Sequence, residues 1–302
     1  MSAASPAFGT TTAHRRVPPA PRGERVRNVL FKILLALCLV LASLLLGTLL
    51  VDVISDGAGS LSWDFLTRPP SALPTLAGLE PAIFGTLWLV ITCVAFIVPV
   101  GVGTAIYLEE YADRTRWWNR LIEVNIQNLA AVPSIVYGIF GLAFLYRGGL
   151  DLGPVILTGG LTLGLLVLPV VIVTAREAIR AVPPSIREGA MALGATRWQT
   201  IWRQVLPGSI SGVATGTILA LSRAIGETAP LLLIGAVVFI TENPSGPDSR
   251  YTAIPFQIFA WLRFPQEEFK NKAAAAIIVL MVVLIAMNSI AIWLRNRYQR
   301  KW

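Results

Sequence analysis

Six apolar runs, each long enough to cross a lipid bilayer, leave this chain little choice of fold. They cover residues 30–51, 83–106, 124–145, 154–175, 212–240 and 273–294. A helix rises about 1.5 Å per residue, so about 20 residues cross roughly 30 Å of hydrocarbon. A helix also satisfies all its backbone groups within one segment, which lipid demands. The pattern predicts an all-α membrane protein with six transmembrane helices. Composition agrees, since 55% of the 302 residues are hydrophobic and only 14% are charged, far more apolar matter than one soluble core needs. The first run is too long for a signal-peptide core and has no small-residue cleavage site after it, so it reads as an uncleaved span. The fifth is longer than a crossing requires and contains Pro230, so it is expected to tilt, break or extend past the bilayer.

The net charge of +8 would suit a nucleic-acid partner on a soluble chain, but here its placement explains it. Eighteen Lys and Arg residues fall in the two termini and in the loops after the second and fourth runs. Six fall on the opposite face: Arg68, Arg147, Arg250, Arg263, Lys270 and Lys272. That asymmetry puts both termini in the cytoplasm and makes lipid, not nucleic acid, the expected partner. Residues 1–28, rich in Pro, Ala, Thr and Arg without apolar periodicity, read as a disordered cytoplasmic tail, and residues 29–302 as one transmembrane domain. Cys38 and Cys93 lie in apolar runs, and His14 is the only histidine. No disulfide framework, His-based metal site or Ser-His-Asp triad can be built from these.

One cytoplasmic loop, residues 183–207 ("PPSIREGAMALGATRWQTIWRQVLP"), has helical punctuation. Ser185 with Glu188, and Thr196 with Gln199, fit capping boxes. Gly194 falls where a left-handed C-terminal cap is wanted. Ile186, Ala190 and Leu193 line one face of a first short helix. Trp198, Ile201, Trp202 and Val205 form a stripe on a second, which Pro207 is expected to end. Two turns of helix are not stable alone in water, so the first needs a surface to rest on. Two readings stand: an amphipathic segment on the lipid surface, or a docking element.

The twenty-fifth basic residue, Arg223, sits with Glu227 four residues on in the middle of the fifth run. A charge at the centre of a membrane helix costs about 2.5–3.5 kcal/mol on insertion scales. The pair either satisfies itself, so that the helix can insert, or holds something. Ser222, Thr228, Gly226 and Pro230 around it suit a polar cavity, and a guanidinium's planar fork of donors fits the oxygens of a tetrahedral anion. Arg176, at the cytoplasmic end of the fourth run, is a second candidate contact or a positive-inside anchor. Pro133, Gly138 and Gly141 either break the third run beside such a path or serve helix packing.

"EGAMALG" followed by "QVLP" resembles the EAA loop of ABC transporter permeases: Glu188, Ala190, Gly194, Leu206 and Pro207 fall on its pattern, while Gly189 and Gln204 depart from it. "NLAAVPSIVYGIFGL", "SRAIGETAPLLLIGA" and "IPFQIFAW" extend the likeness to the phosphate permeases of the PstA type, over more than half the chain. The resemblance implies a type I ABC importer permease, whose loop residues Glu188, Gly189, Ala190 and Gly194 dock an ATPase. It further implies a PstC-like second permease, a dimer of ATPase subunits and an extracytoplasmic phosphate-binding protein. This chain has no Gly-x-x-x-x-Gly-Lys-Ser/Thr phosphate loop. No cofactor is therefore expected in it, and ATP with Mg²⁺ would act on the partner ATPase. Arg223 and Glu227 match charged positions of the family's phosphate path, with Ser222, Thr228 and Arg176 as accessory candidates. The rival readings are a permease for sulfate or molybdate, an ion-coupled carrier, a non-transporting scaffold and an intramembrane enzyme.

Overall fold

The computed structural model describes residues 22–113, 115–237 and 239–298. The chain falls into two units that part between Asp52 and Val53. The first holds most of α1 (Arg22–Ala58), whose residues 53–58 belong to the second unit; the helix has no polar face, the pattern of a lipid-bathed span. Residues 22–28, expected in the tail, instead form the first turns of α1, with Glu24 placed favourably at the positive end of its dipole. The rest of the expected tail, residues 1–21, lies outside the described residues.

The second unit contains α2 (Trp63–Thr67), α3 (Glu80–Ile106), α4 (Trp117–Ala130), α5 (Ser134–Phe140), α6 (Ile156–Arg180), α7 (Pro184–Ala192), α8 (Arg197–Thr200), α9 (Leu206–Gly226), α10 (Ala229–Leu233), α11 (Ile254–Leu262) and α12 (Glu267–Tyr298). Three π-turns, Tyr107–Tyr111, Gly141–Tyr146 and Ile201–Val205, prolong α3 and α5 and join α8 to α9. Among the described residues, five helices are long and apolar enough to cross a membrane, and α4 with α5 makes a sixth if the pair is one span.

Two of the expected runs differ from straight crossings. The third is bent by 107° between α4 and α5. The break falls at Pro133, which lacks an N–H and pushes the preceding residue out of helical geometry. The fifth is one rod from Arg197 to Gly226, so it begins in the loop rather than at residue 212. Pro207, expected to stop the loop's second helix, sits in the first turn of α9, and the π-turn before it absorbs the ring, with the Leu206 N–H bonded five residues back to Ile201. The same rod ends at Gly226, four residues before Pro230. Glu227 is extended (φ −79°, ψ 119°), and Pro230 takes the first turn of α10, where its missing N–H is harmless.

Lipid provides no hydrophobic drive between helices, so close approach of backbones must hold them together. α6 is the hub, packed on α3 and α9, with α12 against α9 and α11. Glycines make the seams. A Cβ on Gly160 would lie 2.6 Å from Thr92, one on Gly164 2.7 Å from Phe96, and one on Gly212 2.7 Å from Ala178. At one end of the unit, Phe65, Leu79, Trp261 and Phe269 form a separate buried cluster under α11 and α12.

Candidate substrate path and coupling surface

Arg223 lies in the last turn of α9 and Glu227 just beyond its end, so the chain break separates the two charges that one continuous helix would have stacked. Arg223 Nε and Glu227 Oε1 are 3.8 Å apart, an ion pair without a hydrogen bond. The Arg223 side chain remains 50% exposed and that of Glu227 21%. The guanidinium is therefore not sealed against its neighbour, and its donors are open to another group. Leu219, Arg223 and Gly226 form the exposed stripe of α9.

The accessory residues do not all join it. Ser222 turns away, donating to the Ile218 carbonyl and to Asn288 Oδ1 of α12, each at 3.0 Å. Its hydroxyl braces α9 from behind. Thr228 stands at the start of α10 without capping it through its side chain, and its carbonyl accepts from Leu232. A Cβ on Gly226 would meet open space within this chain.

The second break lies next to the first. α5 packs on α10 so tightly that a Cβ on Gly138 would lie 2.8 Å from Pro230 Cα. Tyr137 pins the bend by donating its hydroxyl to the Leu129 carbonyl at 2.8 Å. Two interrupted helices thus meet, an arrangement that frees backbone groups from their helical partners.

Arg176 belongs elsewhere. Gly212 lies against Ala178 and Gly216 against Thr174, which puts Arg176 between those contacts. Arg223 is seven residues past Gly216, about 10 Å along the axis. Arg176 is buried and faces two carboxylates, Glu123 of α4 at 3.0 Å and Glu109 at 3.7 Å. Arg180 makes a two-pronged pair with the same Glu109, both contacts 3.0 Å, and reaches Glu177 at 3.2 Å. Next to it in the π-turn, buried Glu110 accepts from Arg187 of α7 at 2.9 Å. These acids escaped the sequence reading. Their signal was present: Glu109 and Glu110 end an apolar helix, where the macrodipole disfavours anions unless cations face them.

The loop itself forms two helices as expected, with corrections. α7 starts on Pro183 and Pro184, which fix its first turn and leave Ser185 without a capping role. Ile186 packs on the cluster of Ala105, Ala175, Ile179, Val182 and Val205, but Leu193 lies past the end of α7 and is 91% exposed. Thr196 and Gln199 make both bonds of a capping box. Gly194 adopts φ +84°, the left-handed conformation a Cβ disfavours. The π-turn splits the expected stripe: Ile201 and Val205 are buried while Trp198 and Trp202 are exposed, edge to face at 5.5 Å. No residue of α7 is fully buried, and Glu188, Gly189 and Gly194 are exposed with Ala190 half-buried beside them.

Comparison with known proteins agrees with this architecture. Residues 97–301 match the family model described as binding-protein-dependent transport system inner membrane component. The probable ABC transporter permease protein YqgI of Bacillus subtilis (strain 168) is 29% identical, with 88% of this chain and 94% of that protein covered. The phosphate transport system permease protein PstA 1 of Mycobacterium tuberculosis (strain ATCC 25618 / H37Rv) is 31% identical over 92% of this chain and 90% of its own. Among solved structures, an inward-facing MetNI methionine ABC transporter shares the fold with a TM-score of 0.57 at 14% identity, covering 74% of this chain and 96% of that one.

Proposed function

Since this chain belongs to the binding-protein-dependent transport system inner membrane components, and is thus a multi-pass permease subunit of an ABC importer, we propose that its cargo is inorganic phosphate. The PstA name of relatives 31% identical over 92% of this chain supports this cargo. The observation that carries it is the half-exposed guanidinium of Arg223, held beside two helix breaks and only loosely paired with Glu227. An unpaired cation there would bind a tetrahedral anion too tightly to release it. Glu227, 3.8 Å away, offsets part of that attraction, so the anion meets a reduced well rather than a trap.

In this reading both termini are cytoplasmic, and a PstC-like subunit completes the path. An external phosphate-binding protein delivers the anion, and a pair of ATPase subunits supplies the energy from ATP with Mg²⁺. Glu188, Gly189, Ala190 and Gly194 present the docking surface to the ATPase. Its closure on ATP is passed inward, and the spans expose the Arg223 region alternately to each side. The test is uptake of labelled phosphate by vesicles containing the purified complex, with sulfate and molybdate as competitors. ATP-dependent phosphate uptake, undiminished by those oxyanions, is expected. Uptake of sulfate or molybdate in preference to phosphate overturns the assignment of cargo.

A further inference from the structure

We propose that Arg187 is a positioning residue for coupling: it clamps the ATPase-docking helix α7 to the cytoplasmic ends of α3 and α6, so that docking motion moves those spans. The inference rests on the importer reading of α7 given above. Three independent bonds converge on one side chain. Its Nε donates to Glu110 Oε1 at 2.9 Å, its Nη2 donates to the Ile179 carbonyl at 2.8 Å, and its Nη1 donates to the Val182 carbonyl at 2.5 Å.

The partners join two pieces of the chain to α7, the end of α6 and the end of α3. Ile179 is in the last turn of α6, its carbonyl also accepting from the Val182 N–H at 3.3 Å, and Val182 lies just past the helix end, where carbonyls lack an intrahelical donor. Glu110 lies in the π-turn that ends α3. That turn matters because its wide coil lets two adjacent carboxylates serve different elements: Glu109 faces Arg176 and Arg180 of α6, while Glu110 faces α7. Glu123 brings α4 into the same knot through Arg176.

Without this clamp, α7 would be held only by Ile186 and by its approach to α8 and the π-turn Ile201–Val205, since none of its residues is fully buried. The chain on either side adds only the turns at 181–183 and 193–196. A half-buried arginine with buried partners is also the kind of contact that resists sliding, because its departure strands the Glu110 carboxylate and the Val182 carbonyl away from water. A helix anchored in this way transmits displacement; a helix tethered by two turns tips on the ATPase and leaves α3 and α6 behind.

The experiment compares Arg187→Met, Arg187→Lys and Glu110→Gln in the full complex reconstituted into vesicles. It measures ATPase capture, ATP hydrolysis, and phosphate moved per ATP. Arg187→Met is expected to keep ATPase capture and hydrolysis but to lower phosphate moved per ATP about tenfold. Arg187→Lys, which keeps charge but not the fork, should fall between it and the parent, and Glu110→Gln should show a partial loss. An unchanged phosphate-to-ATP ratio in Arg187→Met overturns the clamp. So does a loss confined to complex yield, with the ratio intact in what assembles; if Arg187→Met yields no complex, Glu110→Gln decides by the same ratio. A parent complex that captures no ATPase, or moves no phosphate, condemns the importer reading instead and is thereby told apart.

Discussion

Replacing Arg223 with alanine should separate transport from folding. The stability cost is small: the pair with Glu227 spans 3.8 Å, has no hydrogen bond, and leaves the arginine half exposed. Pairs of that kind contribute about 0–1 kcal/mol. The cost to a passing anion is far larger. A unit charge 4 Å from a guanidinium gains about 4 kcal/mol at an effective dielectric of 20, the value suited to partly hydrated protein sites. At 1.36 kcal/mol per decade this sets an upper limit of about 10³-fold on the fall in uptake. Arg223→Lys keeps the charge but loses one donor of the fork, so it should fall roughly tenfold, the worth of one charge-assisted hydrogen bond of about 1.5 kcal/mol. The assay is initial phosphate uptake in vesicles, normalised to complex incorporated and to ATP hydrolysed. Uptake by Arg223→Ala equal to the parent's would refute the electrostatic argument. So would a proportionate loss of complex, since that would make Arg223 a structural residue.

Glu227→Gln removes the opposing charge, so phosphate should bind more tightly and leave more slowly; binding and turnover measured together must move in opposite directions. The same variant tests whether the carboxylate accepts the proton of hydrogen phosphate, in which case competition by sulfate should rise. Gly194→Leu forces a side chain into φ +84°, at about 1–2 kcal/mol, and places bulk on the docking surface. Co-purification of the ATPase should be lost while the permease still inserts. Gly164→Val should part α6 from α3 by driving a methyl into Phe96, at about 1–3 kcal/mol of overpacking, visible as earlier thermal unfolding in detergent. Thr196→Ala should cost about 1 kcal/mol by removing the cap on α8, read as faster amide exchange at residues 198–200.

Much of this architecture was legible because lipid tolerates so few solutions. Runs of apolar residues had to be helices, and the buried charge had to be near something polar. The cap at Thr196 and the turn at Gly194 were equally readable, since each depends on a side chain and its immediate neighbours. Local reasoning failed where two elements negotiate. Pro207 and Pro230 look alike as helix breakers, yet a π-turn carries the chain through the first, and the break near the second comes at Glu227. Ser222 reads as a path residue from spacing alone, but Asn288, 66 positions away, claims its hydroxyl. Arg176 reads as a candidate substrate contact or a positive-inside anchor because Glu109 and Glu123 approach it only after α3, α4 and α6 assemble.

The unbroken rod from Arg197 to Gly226 makes a mechanical statement. Arg197 and Arg223 are 26 residues apart, about 39 Å on a helix, and the chain between them stays helical through the π-turn and Pro207. A lever of that length tilting by about 10° swings its far end through about 7 Å, more than the width of a hydrated anion's first contact shell. The stiffness has a corollary for timing. Whatever turns the inner end must deliver the guanidinium to its new position in the same stroke, leaving no interval in which the gate has answered the motor but the cargo's host has not.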